Sequence, residues 1–194
     1  MKMIEGVFFK LFIGKIMSQE STQPVLNFRS GLPWLWLTVV LLIVDQFTKY
    51  LTIEMLDLYE SYEILSFFNF TYARNYGAAF SFLGDAGGWQ KYLFSGIAFV
   101  VSAYLLYSMK TTSAMHRWIN IAYALILSGA IGNVMDRLMF GYVVDFLDFD
   151  LGFYRWPTFN VADIAIFIGA AMIIIDSIFW AEKREKTKDS NNGK

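Results

Sequence analysis

The chain has 194 residues, 56% of them hydrophobic and 17% charged, with a net charge of -1. That balance excludes an ordinary soluble surface and gives no basic face for nucleic acid. It has no cysteine and one histidine, His116, so disulfides, thiolate chemistry and the two-histidine H-E-x-x-H zinc site are excluded however the chain folds.

In chain order, residues 1–30 carry an apolar cluster around Phe8, Phe9 and Phe12 interrupted by Lys10. No small-residue cleavage site follows, so the segment reads as an N-terminal extension rather than as a removable signal peptide. An interfacial helix is one option, although Lys2, Glu5, Lys10 and Lys15 do not share one helical face. Met17 as the true start is another. Four apolar stretches then have the ~20 residues that a ~30 Å hydrocarbon core demands. They are 34–53, 91–109, 118–138 and 161–181. Residues 31–182 therefore form one four-span domain, and 183–194 form a polar tail. No internal repeat is visible, which weighs against a transporter built from inverted halves.

Basic residues mark one side of these spans. Lys2, Lys10, Lys15 and Arg29 precede the first, Lys110 and Arg117 sit between the second and third, and Lys183, Arg184, Lys186 and Lys188 follow the fourth. The other connections are acidic, with Glu54, Asp57, Glu60, Glu63, Asp85, Asp145, Asp148 and Asp150. The positive-inside rule then places both termini in the cytoplasm. Two aromatic, strand-prone stretches, 64–72 and 142–149, fall in the outer connections and suggest a small sheet on the outer leaflet.

Ionisable residues in or beside spans are functional candidates. Asp45 and Lys49 lie four residues apart in the first span, a spacing that forms a helical ion pair. Asn133, Asp136 and Arg137 end the third span, Asp145 follows it, and Asp163 opens the fourth. Asp176 lies about 20 Å further along that span, at 1.5 Å per residue, and reads as structural or interfacial. Arg137 is suited to neutralising nearby carboxylates or orienting a phospholipid headgroup.

Without histidine or cysteine, hydrolytic chemistry falls to carboxyl pairs. Asp145 and Asp163 are expected at one depth near the outer face. Two such carboxyls sharing a proton let one draw a proton from water while the other hydrogen-bonds the scissile carbonyl. Two plainer readings stand beside this one. Asn160 suits a helix N-cap with Asp163 in its first turn, and Asp145 suits a solvated loop acid like Asp148 and Asp150. A proton or cation path, or an assembly factor whose acids only pair with Lys49, Arg74 and Arg137, are the other functional classes. A Ser–Lys dyad would need Lys49, and no serine spacing supports it.

Five motifs carry a resemblance. They are V-D-Q-F-T-K at 44–49, A-R-N-Y-G-A-A-F-S at 73–81, G-A-I-G-N-V-M-D-R at 129–137, G-Y-V-V-D-F at 141–146 and F-N-V-A-D at 159–163. In that order and between those spans, they resemble the lipoprotein signal peptidase (signal peptidase II) family. The resemblance implies a membrane α-helical fold with four transmembrane helices and a small outer sheet. It implies an aspartic endopeptidase, without metal or cofactor, in the bacterial cytoplasmic (inner) membrane. The substrate implied is a diacylglyceryl-modified prolipoprotein, met among membrane lipids and cut before its lipid-modified cysteine. Asp145 and Asp163 carry over as the catalytic dyad. Asp45, Lys49, Asn75, Gly77, Asn133, Asp136, Arg137, Asn160 and Ala162 carry over as substrate-binding or site-supporting residues. Residues 80–89 match a mobile segment that covers the site in the family.

Overall fold

A computed structural model describes residues 30–77 and 88–179. The expected N-terminal extension up to residue 29, most of the 80–89 cover and the 183–194 tail lie outside the described residues.

A single 3-10 turn, Leu32–Trp34, leads into helix α1, Leu35–Met55. Pro33 sits in that first turn, where its missing N–H costs nothing. Strands β1 (Ser61–Leu65) and β2 (Phe68–Asn75) follow. Then come α2 (Gln90–Thr111), α3 (Arg117–Met139), β3 (Val143–Phe149) and α4 (Val161–Phe179). All four helices are long and apolar enough to cross a membrane. The sequence-predicted spans lie on them, save for the last two residues of the fourth, which fall outside the described residues.

The helices are inverted relative to those of a soluble bundle. The buried residues of α1 are Thr38, Asp45, Lys49 and Thr52, a polar stripe at helical spacing. Its exposed face carries Val39, Val40, Ile43, Val44, Phe47 and Tyr50. Lipid tails accept that apolar face, so the bundle interior is left to small and polar side chains. α3 packs against the other three helices and so lies at the centre. It buries Ala122, Ala124, Ser128, Gly129, Gly132, Asn133 and Asp136. α4 answers with Ala162, Ala165 and Gly169. A Cβ on Gly129 would collide with the Ala162 carbonyl oxygen, so this contact admits no side chain at residue 129.

The sheet is antiparallel, in the order β1-β2-β3. The 64–72 stretch is thus the turn of a hairpin flanked by the end of β1 and the start of β2, rather than one strand. Its register sets Ala73 opposite Asp145, Arg74 opposite Val144 and Asn75 opposite Val143. Gly141 (φ +83°) turns the chain out of α3 and into β3, with its N–H bonded to the Arg137 carbonyl at 3.1 Å. Only glycine adopts that conformation without strain. The 150–159 connection folds back on β3, where Phe159 exchanges backbone hydrogen bonds with Leu147 at 2.8 and 3.1 Å. Phe159 also stacks on Phe149, with ring centroids 5.8 Å apart. The sheet thereby caps the end of the bundle where α1 and α3 finish and α4 begins. At the opposite end, Gly31 N–H bonds the Met109 carbonyl at 2.7 Å and the Trp34 indole bonds the Ala114 carbonyl at 3.1 Å.

Candidate active site

The sheet end of the bundle gathers Asp45, Lys49, Asn75, Asn133, Asp136, Arg137, Asp145, Asn160 and Asp163, whereas Asp176 is buried toward the far end of α4. Asn160 starts the gathering. It precedes α4, and its side-chain oxygen accepts the Asp163 N–H at 2.9 Å, while Asp163 Oδ2 accepts the Asn160 N–H at 3.3 Å. This reciprocal pair is a capping box, so the N-cap reading holds. Capping uses only one Asp163 oxygen. The other, Oδ1, accepts from Asn133 Nδ2 at 2.9 Å.

Asp145 lies in the buried half of β3 and is 2% exposed. It is not a solvated loop acid. Asn160 Nδ2 donates to its Oδ1 at 2.6 Å and to the Val144 carbonyl at 3.2 Å. Burial, and then the charge of Asp163, push the Asp145 carboxyl up to about 8. The Asn75 side chain, at the end of β2, offsets part of that upward push. Asn160 therefore reaches both aspartates, one through its amide nitrogen and the other through its amide oxygen.

Beneath this pair lies a charged cluster. Lys49 Nζ sits 2.9 Å from Asp45 Oδ2 and 2.9 Å from Asp136 Oδ2, and donates to Asn133 Oδ1 at 3.1 Å. The predicted Asp45–Lys49 pair is present, but it has two further partners that spacing could not reveal. Gln46 is the residue that sequence reasoning missed. Its Nε2 donates to Asp45, Gly132 and Asp136 at 3.2, 3.3 and 3.0 Å. Partners 86 and 90 residues away leave no local signal for it.

Arg137 forms no ion pair among the described residues. Its guanidinium donates to the Gly77 carbonyl at 2.8 Å, and more weakly to Asn133 O at 3.4 Å, and stacks over Phe94 at 5.3 Å. It thus ties the end of the β2 strand segment to α3, and its charge still acts on Asp163 and Asp145. Gly77 N–H in turn donates to Asn75 Oδ1 at 3.0 Å. Ala162 contributes its backbone N–H, which donates to Asp45 Oδ1 at 2.8 Å. Asp148, expected to be a solvated acid, is instead buried at 1% exposure. Arg155 pairs with it through Nε at 2.9 Å and through Nη2, and Thr71 donates to it at 2.9 Å. The bidentate guanidinium holds its carboxyl below the usual range.

The arrangement can perform acid–base work with two neighbouring carboxyls held by amides. It offers Lys49 no serine to activate, since Nζ faces two carboxylates and an amide oxygen. No cluster of metal-ligating side chains occurs among the described residues.

Comparison with known proteins agrees with this architecture. The family model described as signal peptidase (SPase) II matches residues 37–179. The lipoprotein signal peptidase of Psychromonas ingrahamii is 68% identical over 166 residues, 86% of this chain and 95% of that protein. That of Alteromonas mediterranea is 51% identical over 157 residues, 81% of this chain and 86% of the relative. A bacterial membrane enzyme solved by the in meso method at 2.3 Å superposes with a TM-score of 0.69 at 32% identity, covering 84% of this chain and 92% of its own. A second, at 1.9 Å, gives 0.66 at 31% identity, with coverages of 77% and 94%. Four spanning helices, the sheet at one end and a match over residues 37–179 lead to one assignment: the chain is a multi-pass membrane protein of the signal peptidase II family.

Proposed function

We propose that this chain is an aspartic endopeptidase that removes the signal peptide from diacylglyceryl-modified bacterial prolipoproteins, with Asp145 and Asp163 as its catalytic dyad. The observation that carries the reading is a pair of carboxyls that both accept from Asn160, Asp145 from its side-chain amide and Asp163 from its backbone N–H, with Asn133 donating to Asp163 and no cation in salt-bridge contact among the described residues. Burial and the neighbouring charge favour one shared proton at neutral pH.

The carboxylate of the pair takes a proton from water as the hydroxyl adds to the scissile carbonyl carbon. The protonated partner hydrogen-bonds the carbonyl oxygen and stabilises its growing charge. Collapse of the tetrahedral intermediate breaks the C–N bond, and the amine leaves with a proton from the dyad. Asn75, Gly77 and Arg137 border the pair and would meet the peptide, while Asp45, Lys49, Asn133, Asp136, Asn160 and Ala162 hold it in place. The substrate's apolar signal helix enters sideways between the spans, and its lipid stays in the bilayer.

The sheet end faces outward in this reading and both termini face the cytoplasm, because Lys110 and Arg117 flank the opposite end. A transport path is disfavoured. It requires polar groups on toward both faces, whereas the charged cluster here occupies the sheet end. The test is cleavage of a lipid-modified prolipoprotein by purified wild type, Asp145→Asn and Asp163→Asn, with thermal unfolding measured for each. Inert but folded variants are expected. Residual activity above about 10% of wild type in a clean Asp163→Asn preparation would defeat the mechanism, since dyad members act as a unit.

A further inference from the structure

Arg74 is a cation that neither the dyad nor its supports employ. Strand alternation on β2 sends Ala73 and Asn75 to the face of Asp145 and Arg74 to the other. There it meets tyrosines instead of acids. Its guanidinium carbon stands 4.5 Å from the ring centroid of Tyr142 and 5.6 Å from that of Tyr72. Its Nε donates to the Tyr72 hydroxyl at 3.2 Å, which leaves the two terminal nitrogens for another acceptor. Tyr142 is flanked in turn by Phe140 and Tyr76, with centroids 5.9 and 5.6 Å away.

Among the described residues no carboxylate pairs with Arg74, whereas Arg155, also at the sheet, is taken by Asp148. The tyrosines do not neutralise it either. Burial, and then the bond to Tyr72, raise the Tyr142 phenol to about 12, so it keeps its proton. The Tyr72 and Tyr142 hydroxyls lie 3.2 Å apart. One hydrogen serves that contact, and the other hydroxyl hydrogen is left to donate. The cluster is therefore a half-buried positive charge with spare donors.

Its depth identifies the anion. Phe140 is the first residue beyond α3, and Leu138, Met139, Phe140 and Tyr76 are all exposed. A spanning helix that ends here brings the cluster to headgroup level, where tyrosine and arginine gather and the abundant anion is phosphate. We propose that Arg74, with Tyr72 and Tyr142, binds the phosphate of an anionic phospholipid in the leaflet on the sheet side. The guanidinium fork meets two phosphate oxygens and the spare hydroxyl hydrogen meets the same group. The acyl chains run down past Met139 and Leu138. A zwitterionic headgroup would set its own ammonium beside the guanidinium and bind less well. The dyad lies on the other face of β2, which separates this site from a peptide bound there.

The test uses the full-length chain in neutral detergent. It is titrated with dioleoyl phosphatidylglycerol, the matching phosphatidylcholine, dioleoylglycerol and inorganic phosphate. Native mass spectrometry counts retained lipid, and thermal unfolding follows saturation. The expected result is one phosphatidylglycerol retained per chain with a saturable rise in Tm. Phosphatidylcholine should bind more weakly, and dioleoylglycerol and inorganic phosphate should give no shift. Arg74→Gln should weaken phosphatidylglycerol binding at least about tenfold, the scale of a charge-assisted hydrogen bond. Lys91→Gln is the control, since Lys91 opens α2 on the same side and lies over the Tyr92 ring at 5.0 Å. It should weaken binding by no more than about threefold, as a general surface charge does. The proposal is overturned if Arg74→Gln stays within about threefold of wild type, or if Lys91→Gln loses as much as Arg74→Gln, by the same scale. Equal binding of phosphatidylcholine or dioleoylglycerol overturns it, and an equal shift with inorganic phosphate overturns the lipid as its source. If Arg74→Gln does not fold, Arg74→Lys decides. A point charge in place of the fork should still lower affinity by at least about threefold, and unchanged affinity overturns the proposal. Neither readout uses cleavage, so the site stands or falls apart from the dyad.

Discussion

Two groups of buried aspartates share the sheet end of this bundle, and their neighbours differ. Asp45 and Asp136 flank the Lys49 ammonium at 2.9 Å each. Asp145 and Asp163 receive hydrogen bonds from Asn160 and Asn133, which are neutral. A cation in contact pairs with a carboxylate and commits its charge to structure. Amide donors orient a carboxyl and still let a proton come and go. In the proposed mechanism the same residue type, within a few residues of the same backbone segments, is thus set to two tasks by the charge of its partner.

The largest effects follow from exchanging those partners' roles. Asp163→Asn is expected to lower cleavage by at least about 10³-fold with the fold retained, because the amide preserves shape and removes the exchangeable proton. Lys49→Met is expected to do its main damage to the fold. It leaves Asp45 and Asp136 buried without compensation, a loss on the order of 3–5 kcal/mol. Cleavage rates and unfolding curves recorded on both variants break the comparison if Asp163→Asn unfolds, or if Lys49→Met is as stable as wild type.

The next effect is smaller and depends on pH. The Asp145 carboxyl rises from an ordinary 3.8 to about 8 in the folded chain, first through burial and then through Asp163. A folded value above the unfolded one means that the native state holds the proton more tightly. The stability this contributes is complete below about pH 4 and is lost as pH climbs toward 8. Asp145→Asn removes the dependence. Its Tm should exceed that of wild type by about 5 °C or more at pH 8.5, and the gap should narrow toward pH 5. A gap that is flat with pH would mean that Asp145 is already ionised in the folded protein.

Packing gives a third step. Gly129→Ala pushes a methyl into the Ala162 carbonyl oxygen, and overpacking of this kind costs about 1–3 kcal/mol. Because that carbonyl sits in the first turn of α4, beside Asp163, the variant should lose kcat as well as stability. Gly96→Ala on α2, where a Cβ meets nothing within 4 Å, is the control and should leave kcat unchanged and stability equal or slightly higher, since Ala favours a helix interior over Gly.

Much of this was legible in the chain before any coordinates. The spans follow from length and hydropathy, which depend only on local sequence. The Asp45–Lys49 pair follows from helical spacing, and the ordered motifs brought Asp145 and Asp163 together. Contacts made across the bundle were not legible. Asp136 joins Lys49 over 87 residues and Gln46 reaches Asp136 over 90, and no periodicity records such meetings. Asp163 shows a different limit, since its cap and its dyad position looked like rival readings. The carboxyl has two oxygens: Oδ2 takes the cap and Oδ1 accepts from Asn133, so the cap leaves the proposed dyad role open. Asp148 was misread because a loop acid followed by more acids looks solvated. It is buried because Arg155, seven residues on, folds back over it.

That last pair supplies the smallest expected effect and the sharpest limit on the comparison. Asp148 is a third buried aspartate with a cation, but here the cation's side chain is 57% exposed. Water can take over much of what Arg155 provides, so Arg155→Ala should cost about 1 kcal/mol or less. Arg155 holds the Asp148 carboxyl below its ordinary range, so the stability from the pair is present above about pH 4, the unfolded value, and disappears as pH falls through the folded one. The Tm difference between wild type and Arg155→Ala should therefore be present at neutral pH, shrink on acidification below pH 4 and fall with added salt. Cleavage should be unchanged at neutral pH, because Asp148 and Arg155 lie on the sheet and its return loop, outside the contacts that hold Asp145 and Asp163. A large loss of kcat without a loss of Tm would place Arg155 among the residues that position the dyad, through the Phe159–Leu147 backbone pairing that precedes Asn160. Asp148 would then join Asp45 and Asp136 as a compensated acid that supports the proposed dyad, reaching it through the return loop rather than through the helices.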